Sequence, residues 1–232
     1  MTKNYTCVFF DLDHTLWDYE TNSRETLYGL YHERGLEDRG VWSFEYFFET
    51  FRAVNNELWD LFDAGIIDSH VIRRERFVKI FDAFSIKDAL LSEEISNTYL
   101  SICPTRGNLM PHALEVLDYL KAKYVLAVIT NGFEETQALK MSSSGITSYF
   151  NHIITSQKAG ARKPERVIFD YALKLNAVAC HEAIMIGDNV VADIGGARGA
   201  SIDAVFFNPE KRVHKHNADY EISSLNELLR IL

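Results

Sequence analysis

Five short apolar runs recur along the chain: YTCVFF (5–10), YVLAVIT (124–130), HIIT (152–155), AIMIG (183–187) and DAVFF (203–207). Several are apolar on successive residues rather than on alternate ones. A strand with one wet face alternates, whereas a strand covered on both faces does not. Helical patterns lie between the runs. MPHALEVLDYLKAK carries Pro111 near its start and apolar residues at 114, 117 and 120. RKPERVIFDYALKLN carries Pro164 near its start and apolar residues at 167, 168, 171, 172 and 175. Strands alternating with helices predict an α/β fold, a parallel sheet with helices on both faces.

One stretch breaks this alternation. Residues 22–102 hold no convincing strand and read as helices throughout. SFEYFFETFRAVNNELWDLFDAG has an apolar stripe at 44, 47, 48, 51, 54, 58, 61 and 62 that ends near Gly65. SHVIRRERFVKIFDAF follows, and then SEEISNTYLSIC, where Ser92 is expected to cap and Glu93 and Glu94 to favour the helix dipole. The expected organisation is an α/β core of residues 1–17 and 105–232 with a helical insert of residues 18–104.

The chain is long enough for a sizeable core, with 232 residues of which 47% are hydrophobic. Its net charge of −9 argues against gripping a nucleic-acid backbone, which takes a basic stripe. No apolar run approaches the roughly 20 residues of a membrane span. MTKNYTC has no apolar signal-peptide core. Cys7, Cys103 and Cys180 are odd in number and widely spaced, which fits small buried side chains in a reducing, cytoplasmic setting. The histidines lack metal spacing, and HKH at 214–216 reads as surface.

In open α/β sheets, ligands bind at the carboxyl ends of the strands. The first run ends in Asp11, with Asp13 two residues on; the second ends in Thr130, within VITNG; the fourth ends in Gly187–Asp188, within MIGDN; and Lys163 follows the third, at a helix start. Each has a plain structural explanation. The first two acids could be turn residues, TNG a simple turn, Asp188 a helix cap, Asp193 a dipole partner and Lys163 a solvated surface cation. All of these coinciding at corresponding strand ends is a poorer account than a shared site. Clustered carboxylates repel unless a hard divalent cation lies among them, and oxygen ligands suit Mg²⁺, which also takes substrate phosphate. A hydroxyl and an ammonium would hold phosphoryl oxygens, and a carboxylate can attack phosphorus to give an aspartyl-phosphate.

DLDHT, TNG, RKP and GDNVVAD resemble the four motifs of the haloacid dehalogenase (HAD) superfamily, in order and at suitable separations. The helical block resembles that superfamily's C1 cap, and the match spans essentially the whole chain. AVNNELWDLFDAGII, RRERF and TNGFEETQ are similar to the bacterial pyrimidine 5′-nucleotidase branch. The resemblance implies a Rossmann-like core with an inserted all-helical cap and a Mg²⁺-dependent phosphatase. It implies Asp11 as nucleophile and Asp13 as acid and then base. Mg²⁺ would sit on the Asp11 carboxylate, the Asp13 carbonyl and the Asp188 carboxylate, with Asp193 orienting that site. Thr130, Asn131 and Lys163 would hold the phosphoryl group. At His14, where Gly is a common variant, an imidazole stands and removes no motif group.

The leaving alcohol is expected to be chosen by the helical insert. Asn55 and Trp59 are four apart on one helix, and Arg73, Arg74 and Arg76 follow on the next. Asn can read a base edge, Trp can stack and Arg can bind phosphate or carbonyl; the alternative is a core Trp and a solvated arginine face. The expected substrate is a small phosphorylated metabolite, foremost a pyrimidine nucleoside monophosphate, with phosphoglycolate or a sugar phosphate as the alternative. A dehalogenase would need neither Asp13 nor Asp188. A phosphomutase shares the core, and a non-catalytic binding protein would be expected to have lost a motif group.

Overall fold

The computed structural model describes residues 4–215 and 218–232. The chain divides into two compact units, Met1–Tyr19 with Gly107–Leu232, and Glu20–Arg106.

The first unit is built on a six-stranded sheet: β1 (Cys7–Phe10), β2 (Val125–Thr130), β3 (His152–Thr155), β4 (Ala183–Gly187), β5 (Asp203–Phe207) and β6 (Tyr220–Ile222). The order is β3-β2-β1-β4-β5-β6, and every pairing is parallel. All residues of β1 and β4 are buried, which is why their sequences are unbroken apolar runs. β6 was not expected from the sequence. It has three residues, two of them exposed, and lies at the sheet edge, too short for a periodic signal.

Residues Phe9, Ile129, Met185 and Phe206 from the strands pack with Ile168, Phe169 and Ala172 of a crossing helix, Arg166–Leu175. Progression along the sheet runs from β1 through β2 to β3, then returns to β4 on the other side of β1. The reversal opens a crevice between the carboxyl ends of β1 and β4, where α/β sheets place ligands.

In chain order the helices are α1 (Tyr19–Glu33), α2 (Phe44–Asp63), α3 (Ser69–Asp82), α4 (Ala89–Ile102), α5 (Ala113–Lys121), α6 (Glu134–Ser143), α7 (Ser156–Ala159), α8 (Arg166–Leu175) and α9 (Gly196–Gly199). The second unit is helical. The Ser43 side chain accepts from Tyr46 N, capping α2, and the helix ends at Asp63, with Gly65 just beyond it at a φ of +73° that suits a residue without Cβ. Its buried stripe of Phe47, Phe51 and Leu58 packs against α3, with Phe47–Phe81 and Phe51–Phe77 ring centroids 6.2 Å apart. Ser92 does not cap α4: the Asp88 carboxylate accepts from Leu91 N (2.9 Å), and the helix begins at Ala89. Ser92 lies inside it with its hydroxyl donating to Asp88 O. Two candidate caps sat close together in the sequence, and the carboxylate took the end. Cys7 and Cys103 are buried, and Cys180 is half-buried.

Candidate active site

β1 carries Asp11 to the carboxyl edge of the sheet, where its N–H still donates to Ile186 O (2.9 Å). The chain then turns tightly: Leu16 N and Trp17 N both donate to Leu12 O (2.9 and 2.8 Å), and His14 N to Trp17 O (3.0 Å). This turn sets His14 at φ +63°. Glycine reaches that region freely, and His is among the few others enriched there. The same turn brings Asp13 back beside α6.

Lys163 holds the site together. It lies in the loop ahead of α8 rather than in the helix, which starts at Arg166. Its Nζ donates to Asp11 Oδ1 (2.5 Å), Asp193 Oδ1 (2.7 Å) and Ile129 O (2.8 Å). Asn131 fixes the Lys163 backbone on both sides: Nδ2 donates to Lys163 O (2.9 Å), and Oδ1 accepts from Lys163 N (2.8 Å). Thr130 Oγ1 accepts from Gly132 N (3.0 Å) and Gln137 Nε2 (2.7 Å).

Asp188 follows β4, but Asn189 is the cap of the short helical turn Val190–Gly195, its Oδ1 accepting from Val191 N and Ala192 N. Asp188 instead takes a hydrogen bond from Thr15 Oγ1 (3.3 Å), and Arg212 Nη2 lies 3.8 Å from its Oδ2. Asp193 Oδ2 accepts from Asn189 N (3.0 Å). A Cβ on Gly187 would lie 2.2 Å from that same oxygen, so only glycine lets Asp193 seat there.

Ligand oxygens of Asp11, Asp188 and Asp193 all lie within 4.8 Å of one another. Burial pushes Asp11 up to about 7 against the pull of Lys163. It pushes Asp188 up to about 6, opposed by His14 and aided by Asp11, and it raises Asp193 as well. Lys163 would be lowered by burial, but Asp11 and Asp193 hold it above the usual lysine range. Three close carboxylates thus face one buried ammonium, and an all-oxygen set with excess negative charge fits a hard divalent cation. Asp193 has both oxygens engaged. Asp11 and Asp188 are less committed, Asp11 Oδ2 having no hydrogen-bond partner among the described residues.

Asp13 behaves oppositely. Burial would raise it, but Lys140 and Gln137 outweigh burial and hold its carboxyl below the usual range. Lys140 Nζ donates to Asp13 Oδ1 (2.6 Å) and Gln137 Nε2 to Oδ2 (2.9 Å). Neither residue was picked out from the sequence, nor were Thr15 and Arg212. The available signal was in TNGFEETQALK, where Gln and Lys fall three apart on the helix that follows the motif.

Within the helical unit, Asn55 is buried on α2. Trp59 is half-buried and packs against the Leu58–Phe62–Ile72 cluster, its ring edge-on to Phe62 at 5.4 Å. Arg73 and Arg74 are exposed, whereas Arg76 is buried with its guanidinium 5.9 Å from the Phe51 ring and 5.5 Å from the Tyr99 ring. His214 is half-buried, edge-on to Phe206 and bonded to Glu221; His216 lies outside the described residues.

The model of the haloacid dehalogenase-like hydrolases matches residues 5–201. The chain belongs to this family. Pyrimidine 5′-nucleotidase YjjG of Escherichia coli (strain K12) is 28% identical over 97% of this HAD hydrolase and 96% of its own length. Ribulose-1,5-bisphosphate 5-phosphatase of Halopiger xanaduensis is 30% identical over 96% of this chain and 97% of its own. Among solved structures, HAD-hydrolase YfnB from Bacillus subtilis, bound to magnesium, superimposes with a TM-score of 0.88 at 25% identity, covering 99% of each chain. This HAD hydrolase is a phosphoric monoester hydrolase, the class to which its two named relatives belong. Among the described residues no helix is long and apolar enough to cross a membrane.

Proposed function

We propose that this HAD hydrolase is a Mg²⁺-dependent 5′-nucleotidase on pyrimidine nucleoside monophosphates that works through an aspartyl-phosphate on Asp11. The observation that carries the chemistry is Asp11 itself. Lys163 fixes one of its oxygens, the other has no hydrogen-bond partner among the described residues, and a second acid stands two residues away. In this reading Asp11 Oδ2 attacks phosphorus and the bond to the leaving oxygen breaks. Asp13, having gained a proton, gives it to that oxygen. The Asp13 carboxylate then takes a proton from water, the water oxygen attacks phosphorus, and inorganic phosphate leaves with Asp11 restored. Thr130 holds the transferring group, the Lys163 ammonium adds positive charge beside Asp11 with its three donors on Asp11, Asp193 and Ile129 O, and Asn131 steadies the Lys163 backbone. Mg²⁺ held by Asp11, the Asp13 carbonyl and Asp188 would offset the repulsion between nucleophile and phosphate and stabilise charge gathering on phosphoryl oxygens.

The nucleotide reading is supported by the likeness to YjjG along nearly the full chain. The Halopiger relative supports a sugar bisphosphate as the second reading. The test is a panel of UMP, dUMP, AMP, ribulose bisphosphate, phosphoglycolate and p-nitrophenyl phosphate, run with Mg²⁺ and with EDTA, on wild type and Asp11→Asn. We expect activity that needs Mg²⁺, highest kcat/KM on a pyrimidine monophosphate, and none in a folded Asp11→Asn protein, since the amide keeps the shape but loses nucleophilicity. Turnover by that variant would sink the nucleophile. Preference for ribulose bisphosphate would replace the substrate and leave the chemistry standing.

A further inference from the structure

Helix α6 approaches the site with two buried polar side chains that the phosphoryl-transfer scheme above does not use. Gln137 is fully buried and Lys140 is 6% exposed. Long polar side chains are rarely buried so deeply unless paired, and both of these converge on one carboxylate. Lys140 Nζ donates to Asp13 Oδ1 and Gln137 Nε2 to Asp13 Oδ2, so each carboxylate oxygen has its own donor. The Lys140 ammonium also lies 4.6 Å from the centre of the Trp17 ring and 5.7 Å from that of Tyr19, an aromatic wall that limits where the cation can go.

Gln137 does a second thing. Its Nε2 is shared with Thr130 Oγ1, which also accepts from Gly132 N. A hydroxyl has two acceptor positions and one proton. With both acceptor positions filled, the Thr130 proton must be donated elsewhere, and Thr130 has no acceptor among the described residues. Turning the Gln137 amide over would set Oε1 against the Asp13 carboxylate, so the donor orientation is fixed. Space for the amide comes from Gly132, where a Cβ would lie 2.2 Å from Nε2.

We infer that Gln137 and Lys140 are positioning residues for this reaction. Together they orient the Asp13 carboxylate, and Gln137 directs the Thr130 hydroxyl proton toward the transferring phosphoryl group. The inference rests on the assignment of Asp11 as nucleophile and Asp13 as acid and base. It adds that one helix aligns the proton-transfer group and a phosphate donor in a single hydrogen-bonded unit.

The test compares wild type, Lys140→Met, Lys140→Arg, Gln137→Leu and Asp13→Asn by rapid-mix kinetics on p-nitrophenyl phosphate, whose leaving group departs without a proton. Thermal unfolding checks each fold. In Lys140→Met we expect a burst of about one p-nitrophenolate per enzyme followed by turnover reduced about 100-fold, because misplacing a reacting group by an ångström costs that much. KM should fall along with kcat, leaving kcat/KM little changed, because only hydrolysis of the covalent intermediate is slowed, and Lys140→Arg should recover most of the rate. Gln137→Leu should lose rate and also raise KM, since it frees the Thr130 hydroxyl to turn. If the folded Lys140→Met and Gln137→Leu proteins turn over within about threefold of wild type while Asp13→Asn is crippled, the positioning role is overturned and the Asp13 assignment stands. Near wild-type turnover in Asp13→Asn would overturn both. Loss of burst and turnover together in Lys140→Met, unrelieved in Lys140→Arg, would mark Lys140 as structural and overturn the inference.

Discussion

Asp11 and Asp13 are two residues apart, yet their surroundings drive them in opposite directions. Asp11 and Asp188 are pushed by burial to about 7 and about 6; Asp13 is held low despite burial because Lys140 and Gln137 bind its charged form. For the first pair, the folded state binds protons more tightly than the unfolded chain, whose carboxylates titrate near 3.8. Their contribution to stability is therefore present below that value and is lost as pH rises toward 7. A divalent cation needs these same groups deprotonated and should reverse the loss. Melting of EDTA-treated protein should fall between about pH 5 and about pH 7.5, and Mg²⁺ should raise Tm more at the upper end. Differential scanning fluorimetry at both pH values checks this. A Mg²⁺ increment independent of pH would count against the carboxylate cluster as the ion's site.

At the scale of elements, α2 carries both packing and a candidate recognition face. Phe47, Phe51 and Leu58 are buried along it, and Asn55 shares the buried stripe. Trp59 is part of the Leu58–Phe62–Ile72 cluster and also half-exposed, so its two possible duties must be separated by experiment. A ring that only packs affects every substrate equally; a ring that stacks on a base matters only when a base is present. We predict that Trp59→Ala loses kcat/KM on a pyrimidine monophosphate by roughly 5- to 150-fold, from about 1–3 kcal/mol of stacking, and loses less on p-nitrophenyl phosphate. Equal losses on one preparation, with a lowered Tm, would assign Trp59 to packing alone. Arg76 shows why sequence could not settle the arginines. Arg73, Arg74 and Arg76 look equivalent as letters, yet the first two are exposed and the third is buried against Phe51 and Tyr99.

At the scale of the whole molecule, the chain folds into a parallel-sheet unit and a helical unit, and the candidate catalytic groups all belong to the former. A net charge of −9 leaves no general attraction to a polyphosphate backbone, whose binding is dominated by released counterions. We therefore expect no mobility shift of duplex DNA or single-stranded RNA at about 0.15 M salt, and hydrolysis confined to small phosphate esters. A shift that weakens with rising salt would contradict this.

The sequence by itself determined five of the sheet's six strands. Unbroken apolar runs mark β1, β2 and β4, because strands covered on both faces need no polar alternation. It also determined which residues stand at the strand ends, since Asp11, Thr130 and Asp188 are adjacent in the chain to those runs. Only the tertiary structure decided what those residues touch. Lys163 meets Asp11 across 152 positions of chain and Asp193 across 30, and no local pattern encodes such a meeting. Gln137 and Lys140 were invisible for the same reason. A polar pair three apart on a helix looks like an exposed face until the neighbouring β1 turn swings Asp13 onto it. The edge strand β6 and the cap at Asp88 were missed because three residues carry no period and because two capping side chains competed within one turn. Periodicity reports burial along an element, whereas chemistry depends on which elements converge, and that is set by packing.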